Sequence, residues 1–287
     1  MRGCSCRGTA GFAHVSCLAE QAKLLNEEAE ENGLFGTERG ELRWRRWNTC
    51  SLCEQGYHGV VYCALGWACW KTYLGRPQGP EADWLRGAAM TLLGNGLSEA
   101  ERHEEALSVQ EARLSTLRRT GASEKYLLIA QGNLACTYDS LGRREEASRI
   151  RQEVYSGNLK LYGAEHRETL REASNFAATL LELKRYQECR SLMRKSIPVA
   201  RRVLGESNGI TLAMQLHSAV ALYSNDDATP NDFCEAMTTL EETGRTARRV
   251  LGDSHSTTGW VEVALRDCQR LLVRAALRAR ETPPTTA

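Results

Sequence analysis

Six side chains near the amino terminus carry the most legible chemistry in this sequence. Cys4-x-Cys6 is followed after seven residues by His14-x2-Cys17, and a longer gap leads to Cys50-x2-Cys53. Thiolates and imidazoles are the ligands that zinc takes in tetrahedral structural sites. Two of them one or two residues apart can grip one ion from a tight turn. Three such pairs within the first 53 residues are hard to obtain by chance. The competing explanation is a set of buried thiols and a surface histidine. Cys63 and Cys69 are a different case. They stand six apart among aliphatic and aromatic neighbours, which suits buried thiols better than ligands.

The elements between these pairs must bring them together. Residues 18–29 read as a helix with Leu18, Ala22, Leu25 and Ala29 along one side, and Asn32-Gly33 is a C-cap signal. Residues 36–40 read as a polar loop, after which Trp44 and Trp47 return the chain to the second cysteine pair and pack over a thin core. Residues 59–73 read as a short apolar helix docking this module onto the remainder of the chain. Gly75-Arg76-Pro77-Gln78-Gly79-Pro80 is the clearest linker, rich in turn formers and without apolar period. The expected organisation is a module over 1–58, a connector over 59–82, an array over 83–280 and a disordered tail over 281–287.

The array is marked by a period. Gly121, Gly163 and Gly205 are 42 residues apart, Asn133-Leu134-Ala135 is echoed by Asn175-Phe176-Ala177, and Leu141-Gly142-Arg143 by Leu183-Lys184-Arg185. A fixed interval of this length means one supersecondary unit copied and stacked, because each copy leaves an apolar face that its neighbour must cover. Within a copy Leu127, Leu134, Tyr138 and Leu141 fall on one helical face, and Ala147, Ile150, Val154 and Leu161 on a second. The repeat is therefore a pair of antiparallel helices, and the fold class is all-α, a helical-hairpin solenoid behind a small zinc-finger module. The predicted pairs are 84–97 with 101–119, the two halves of 123–161, the two halves of 167–204, and 211–223 with 232–251, capped by 258–278. Ser98-x-x-Glu101 reads as a capping box opening the first turn, and Pro198 as a kink in its helix.

Composition narrows the function. A formal net charge of +1 offers no polyanion-binding signature, so nucleic acid is not an expected partner. The longest nearly apolar run, 60–70, is eleven residues and too short to span a bilayer, so no membrane partner is expected either. Eleven cysteines without a secretory signal point to reduced thiols or metal ligands, hence a cytoplasmic protein, with the nucleus as the alternative. Gly205-Glu206-Ser207-Asn208-Gly209 has the form of a hydrolase nucleophile elbow, but that motif needs a strand before it and here a helix precedes. His58 and His103 have no legible acid–base partners, and no catalytic residue is assigned.

Two families resemble parts of the chain. Cys4-Ser5-Cys6-Arg7-Gly8-Thr9, Phe12, His14, Cys17-Leu18, Cys50-Ser51-Leu52-Cys53 and Tyr57 together resemble the RING-CH (RING-variant) zinc finger over residues 4–57. The seven-residue gap before His14 favours it over the PHD finger. A RING-CH finger has eight ligands; here its first pair would lie before Met1, and the gap from Cys17 to Cys50 is longer than usual. The resemblance implies a cross-braced arrangement in which Cys4, Cys6, Cys50 and Cys53 make one complete Zn2+ site. His14 and Cys17 would be half of a second, completed only by an upstream segment, which we expect to exist. A complete structural site contributes about 10–16 kcal/mol of apparent binding free energy to folding. The resemblance further implies contact with a ubiquitin-conjugating enzyme, making a ubiquitin ligase that acts by proximity without a catalytic residue of its own. The alternatives are a non-enzymatic scaffold with a purely structural finger and, for a PHD-like finger, a reader of modified histones.

The array resembles the tetratricopeptide repeat in the long form found in kinesin light chains. The residues carrying this are Gly94, Ala135, Ala177 and Ala219 on first helices, and Ala106, Ala147, Cys189 and Ala236 on second helices. Side chains there must be small because a longer one would force the helix axes apart. Leu204-Gly205-Glu206-Ser207-Asn208 matches the family's turn between repeats, as does Leu251-Gly252-Asp253-Ser254-His255, while Lys184 departs from it where Gly142 stands one repeat earlier. The resemblance implies a concave face, lined by first helices, that binds a peptide or protein ligand. By the family's pattern Asn133 and Asn175 take the position whose amide contacts ligand backbone, with His217 in the same place one repeat on and Arg171 and Cys136 flanking. The alternative for both asparagines is a structural bond to a neighbouring helix. The basic side chains of a carboxylate clamp are not all present.

Overall fold

The computed structural model describes residues 13–34, 36–77, 79–253 and 255–281. Among these the chain is helical apart from one isolated antiparallel bridge between Thr49 and Gly56. It divides into two compact units, Met1–Arg143 and Arg144–Ala287.

The amino-terminal unit holds α1 (Val15–Glu31), α2 (Glu38–Trp44), a 3-10 turn (Arg45–Trp47), α3 (Gly59–Leu74), α4 (Pro80–Glu99), α5 (His103–Arg119) and α6 (Glu124–Ser140). Helix α1 buries Ala22 and Ala29 on the predicted face. Asn26 is buried beside them and donates its amide to the Arg43 carbonyl at 3.1 Å. Helix α2 occupies part of what reads in sequence as a polar loop. Thr37 starts it by accepting the Gly40 N–H at 3.3 Å, a side-chain cap that outweighs the weak helix propensity of Gly40. Trp47 is completely buried among Ala22, Cys69, Tyr73, Leu85 and Ala89, which ties α1 to α3 and α4.

Helices α3 and α4 meet backbone to backbone. A Cβ built on Gly66 would lie 2.9 Å from the Leu93 Cα, and one on Gly96 2.9 Å from the Cys63 Cα. Residues 75–77 and 79 lie between these helices. The turn from α4 to α5 differs from the predicted capping box. Ser98 remains inside α4 and turns its hydroxyl to Thr137, 3.4 Å away. Helix α5 begins after Arg102 without a side-chain cap.

The carboxy-terminal unit holds α7 (Arg144–Tyr162), α8 (Arg167–Glu182), α9 (Tyr186–Leu204), α10 (Gly209–Tyr223), α11 (Pro230–Leu251) and α12 (Ser256–Glu281). Leu170, Phe176, Leu180, Met193 and Met214 fill one core, and Leu216, Phe233, Leu240 and Val261 lead another towards α12. Helix α9 runs on through Pro198. Helix α11 opens with a complete capping box between Thr229 and Asp232. At the end of α7 the inner face is polar: Asn158 is buried, while Leu161, expected inside, is exposed.

The 42-residue period has a backbone cause. Gly121, Gly163, Gly205 and Gly252 all sit at positive φ in the turns between hairpins, a conformation that costs other residues a clash of Cβ with backbone. Within hairpins, Gly142 at φ 73° shares its left-handed turn with Glu101 at 60° and Lys184 at 59°. The residue after each donates its N–H back to the helix just ended, at 2.8–2.9 Å.

Candidate functional site

Of the predicted zinc ligands, Cys4 and Cys6 lie outside the described residues. His14 and Cys17 come together at the start of α1, where His14 is the N-terminal cap and its Nδ1 stands 4.0 Å from the Cys17 Sγ. Cys50 and Cys53 occupy a tight turn closed by the Thr49–Gly56 bridge. The Cys50 N–H donates to the Gln55 carbonyl at 2.9 Å, and Glu54, at φ 53°, makes the reversal. The Leu52 N–H donates to the Cys50 Sγ at 3.4 Å, so a backbone amide points at the sulfur. Val15 and Leu18 of α1 pack against the cluster of Cys50, Tyr57, Val61 and Leu65, so the start of α1 lies against the cysteine turn, with His14 and Cys17 themselves exposed. Among the described residues no three His, Cys, Asp or Glu side chains converge as a metal site. In a cross-braced finger each ion would draw only two of its ligands from these residues, so a convergent trio is not required there.

The predicted peptide-contacting residues fall on first helices in both units. In the amino-terminal unit Asn133 is half-buried on α6 and Cys136 is exposed one turn on. In the carboxy-terminal unit Arg171 is exposed on α8 and pairs with Glu168. Asn175, one turn further, donates its amide to the Glu172 Oε2 at 3.3 Å. That bond is within its own helix. His217 on α10 has its Nδ1 3.5 Å from the Ser174 hydroxyl, and its backbone carbonyl accepts the Cys189 thiol at 3.8 Å. Burial pushes the His217 pKa down to about 4, so at neutral pH the ring presents a neutral edge.

Buried polar groups link successive helices, and none of them is evident from the sequence pattern. Thr137 on α6 donates to the Gln110 Oε1 on α5 at 2.7 Å. Forty-two residues on, Thr179 on α8 accepts the Arg151 Nε of α7 at 3.0 Å. Arg151 also reaches the Glu172 carboxylate at 3.2 Å, with both side chains only 6% exposed. Burial raises the Glu172 pKa, against the lowering pull of Arg151 and the Asn175 amide. These groups define which helix faces which, and they sit behind the exposed face.

A groove of about 690 Å³ opens in the amino-terminal unit, walled by Trp44, Tyr62, Trp84, Leu117, Tyr126 and Ile129. Trp84 and Tyr126 are both exposed and stand 42 residues apart, an aromatic pair at one repeat register that sequence reading could have found. Arg113 lines the same groove. Its place among the inward positions Ala106, Gln110 and Leu114 of α5 was the available signal.

A family model of the tetratricopeptide repeat matches residues 127–168 and 169–208. No curated protein matches the chain in sequence. Among solved structures, a putative kinesin light chain of Podosopora anserina with nearly identical TPR-like repeats is similar at TM-score 0.55 and 19% identity, over 83% of this chain and 98% of that one. A singly substituted form of that protein gives the same values. The apo form of RapI is similar at TM-score 0.52 and 10% identity, over 93% of this chain and 88% of that one. At such identities the likeness establishes the fold alone. Together with the helical hairpins and their period, these findings give an all-α helical-hairpin solenoid whose residues 127–168 and 169–208 match the tetratricopeptide repeat.

Proposed function

We propose that this protein is a protein–protein interaction adaptor whose first helices take a peptide segment and whose amino-terminal residues form a zinc module. The observation that carries the peptide reading is the register of Asn133 and Asn175. The same amide recurs after 42 residues at a half-buried position of a first helix, with exposed neighbours a turn away at Cys136 and Arg171. A side-chain amide there can both donate to and accept from an extended backbone. Asn133→Ala should weaken binding of peptides selected on the full chain from a displayed random library about tenfold or more, with helical content unchanged. Selected peptides that bind the variant as well as the native protein would remove the reading.

The zinc module rests on the spacing of Cys4, Cys6, Cys50 and Cys53, and the amide directed at the Cys50 sulfur supports it. Zinc bound there would stand in for core that so small a module lacks. Protein purified without chelator should carry one Zn2+ per chain through these four thiolates, and Cys50→Ser should lose it. Zero zinc would dismiss the module. The RING-CH resemblance extends the proposal to a ubiquitin ligase that holds a conjugating enzyme near its target. Autoubiquitination in a reconstituted assay tests that step, and inactivity with several conjugating enzymes would leave the adaptor as a scaffold.

A further inference from the structure

We propose that the groove beside Arg113 is a binding site for a small amphiphilic carboxylic acid, one carboxylate on an alkyl or aryl body. This goes beyond the peptide reading and does not depend on it. The volume, about 690 Å³, is that of a site for a small organic ligand. A second cavity of about 500 Å³ shares Trp44, Trp84 and Tyr126 with it and extends the aromatic wall.

Arg113 supplies the polar end. Its side chain sits between α5 and α4 and the residue is only 8% exposed. The Nη1 donates to the Gly87 carbonyl, and the Nε is buried with no hydrogen-bond partner. A Cβ at Gly87 would lie 2.8 Å from that Nη1, so the glycine is what admits the guanidinium. Burial lowers the Arg113 pKa from its usual value, yet an arginine remains charged at physiological pH. A buried cation without a carboxylate is costly, and a planar fork is the shape that a carboxylate satisfies with two parallel bonds. The acid that lines the groove, Asp83, is committed to Arg86.

The other polar groups on the walls favour a small molecule over a peptide backbone. Thr91 donates to the Gly87 carbonyl at 3.1 Å, so its hydroxyl proton is already committed. A peptide chain would bring several N–H and C=O groups into these largely apolar walls, each needing a partner. An alkyl or aryl acid brings one charged group, matched by one guanidinium.

The test uses the full chain, with Trp44 and Trp84 as fluorescent reporters and calorimetry alongside. Decanoate and 4-phenylbutyrate should bind, and decanol and decyltrimethylammonium should bind much more weakly. Arg113→Met should weaken decanoate about ten- to hundredfold while leaving decanol unchanged. Arg113→Lys, which keeps the charge and loses the fork, should fall between and covers the case in which the methionine variant fails to fold. Trp84→Ala should weaken every ligand alike. Decanoate binding indifferent to Arg113, or decanol binding as tightly as decanoate, would overturn the proposal. So would Arg113-dependent binding of a peptide with Glu beside an aromatic residue when neither small acid binds.

Discussion

Removing one member of the Arg151–Glu172 pair should cost the carboxy-terminal unit far more than removing both. The two side chains are each only 6% exposed, and Arg151 bridges Glu172 and Thr179. Arg151→Met keeps most of the volume but strands the carboxylate, a loss of about 3–5 kcal/mol. At about 2–4 °C per kcal/mol, the thermal midpoint should fall by roughly 6–20 °C. The double variant Arg151→Met/Glu172→Leu removes both charges and should recover most of that loss. The pH dependence gives a second readout. Burial already raises the Glu172 pKa, so the native state holds its proton more tightly than the unfolded chain does. Stability from this group therefore falls as pH rises from the ordinary carboxylate value through the raised one. Without Arg151 the pKa rises further, and acid lets the stranded carboxylate neutralise itself. The deficit of Arg151→Met, followed by circular dichroism on the full chain, should shrink between pH 7.5 and pH 5. A deficit that ignores pH, or a double variant no better than the single, would refute the reasoning.

The remaining predictions concern other parts of the array. His217, with its pKa pushed down to about 4, should keep a neutral ring in the native state at pH 6 by NMR titration. Because the unfolded chain binds that proton more readily, His217 should make stability rise with pH from about 4 to 6.5, and His217→Gln should flatten the slope in denaturant midpoints. Gly66→Ala and Gly96→Ala should each cost about 1–3 kcal/mol by urea unfolding, because the new methyl would meet backbone that cannot yield. Lys184→Gly should stabilise by about 1 kcal/mol, and Gly142→Lys should destabilise by a similar amount in the same assay. Thr229→Ala should remove about 1 kcal/mol through loss of the α11 cap.

The repeat was legible because its markers answer to local constraints. Glycines at positive φ recur where the chain must reverse, and Ala135, Ala177, Ala219, Ala147, Cys189 and Ala236 are fully buried where helices cross. Each requirement is met within a single position, by glycine at the turns between hairpins and by a small side chain at the crossings. The polar links are of another kind. Arg151 needs Glu172 from the next helix, Thr137 needs Gln110 from the previous one, and neither partner is implied by spacing along one helix. For the same reason Asn158 faces inward while Leu161, chosen by hydrophobicity alone, faces out. Helix α2 was hidden by Gly40, whose low propensity is overridden by the Thr37 cap and by packing of Trp47. Arg113 was readable as a charge at an inward register, but only the glycine opposite it and the open aromatic wall turn that oddity into a site.

The glycine seam of α3 and α4 has a bearing on how this protein could be taken apart. Where two backbones touch, the partner surface is specified by shape down to single atoms, and another helix offered in place of α4 would present side chains where Cys63 and Gly66 tolerate none. The cysteine turn, through Val61 and Leu65 on the opposite side of α3, inherits that dependence. Transplanting the amino-terminal module into a foreign protein should therefore succeed only when residues up to Glu99 travel with it.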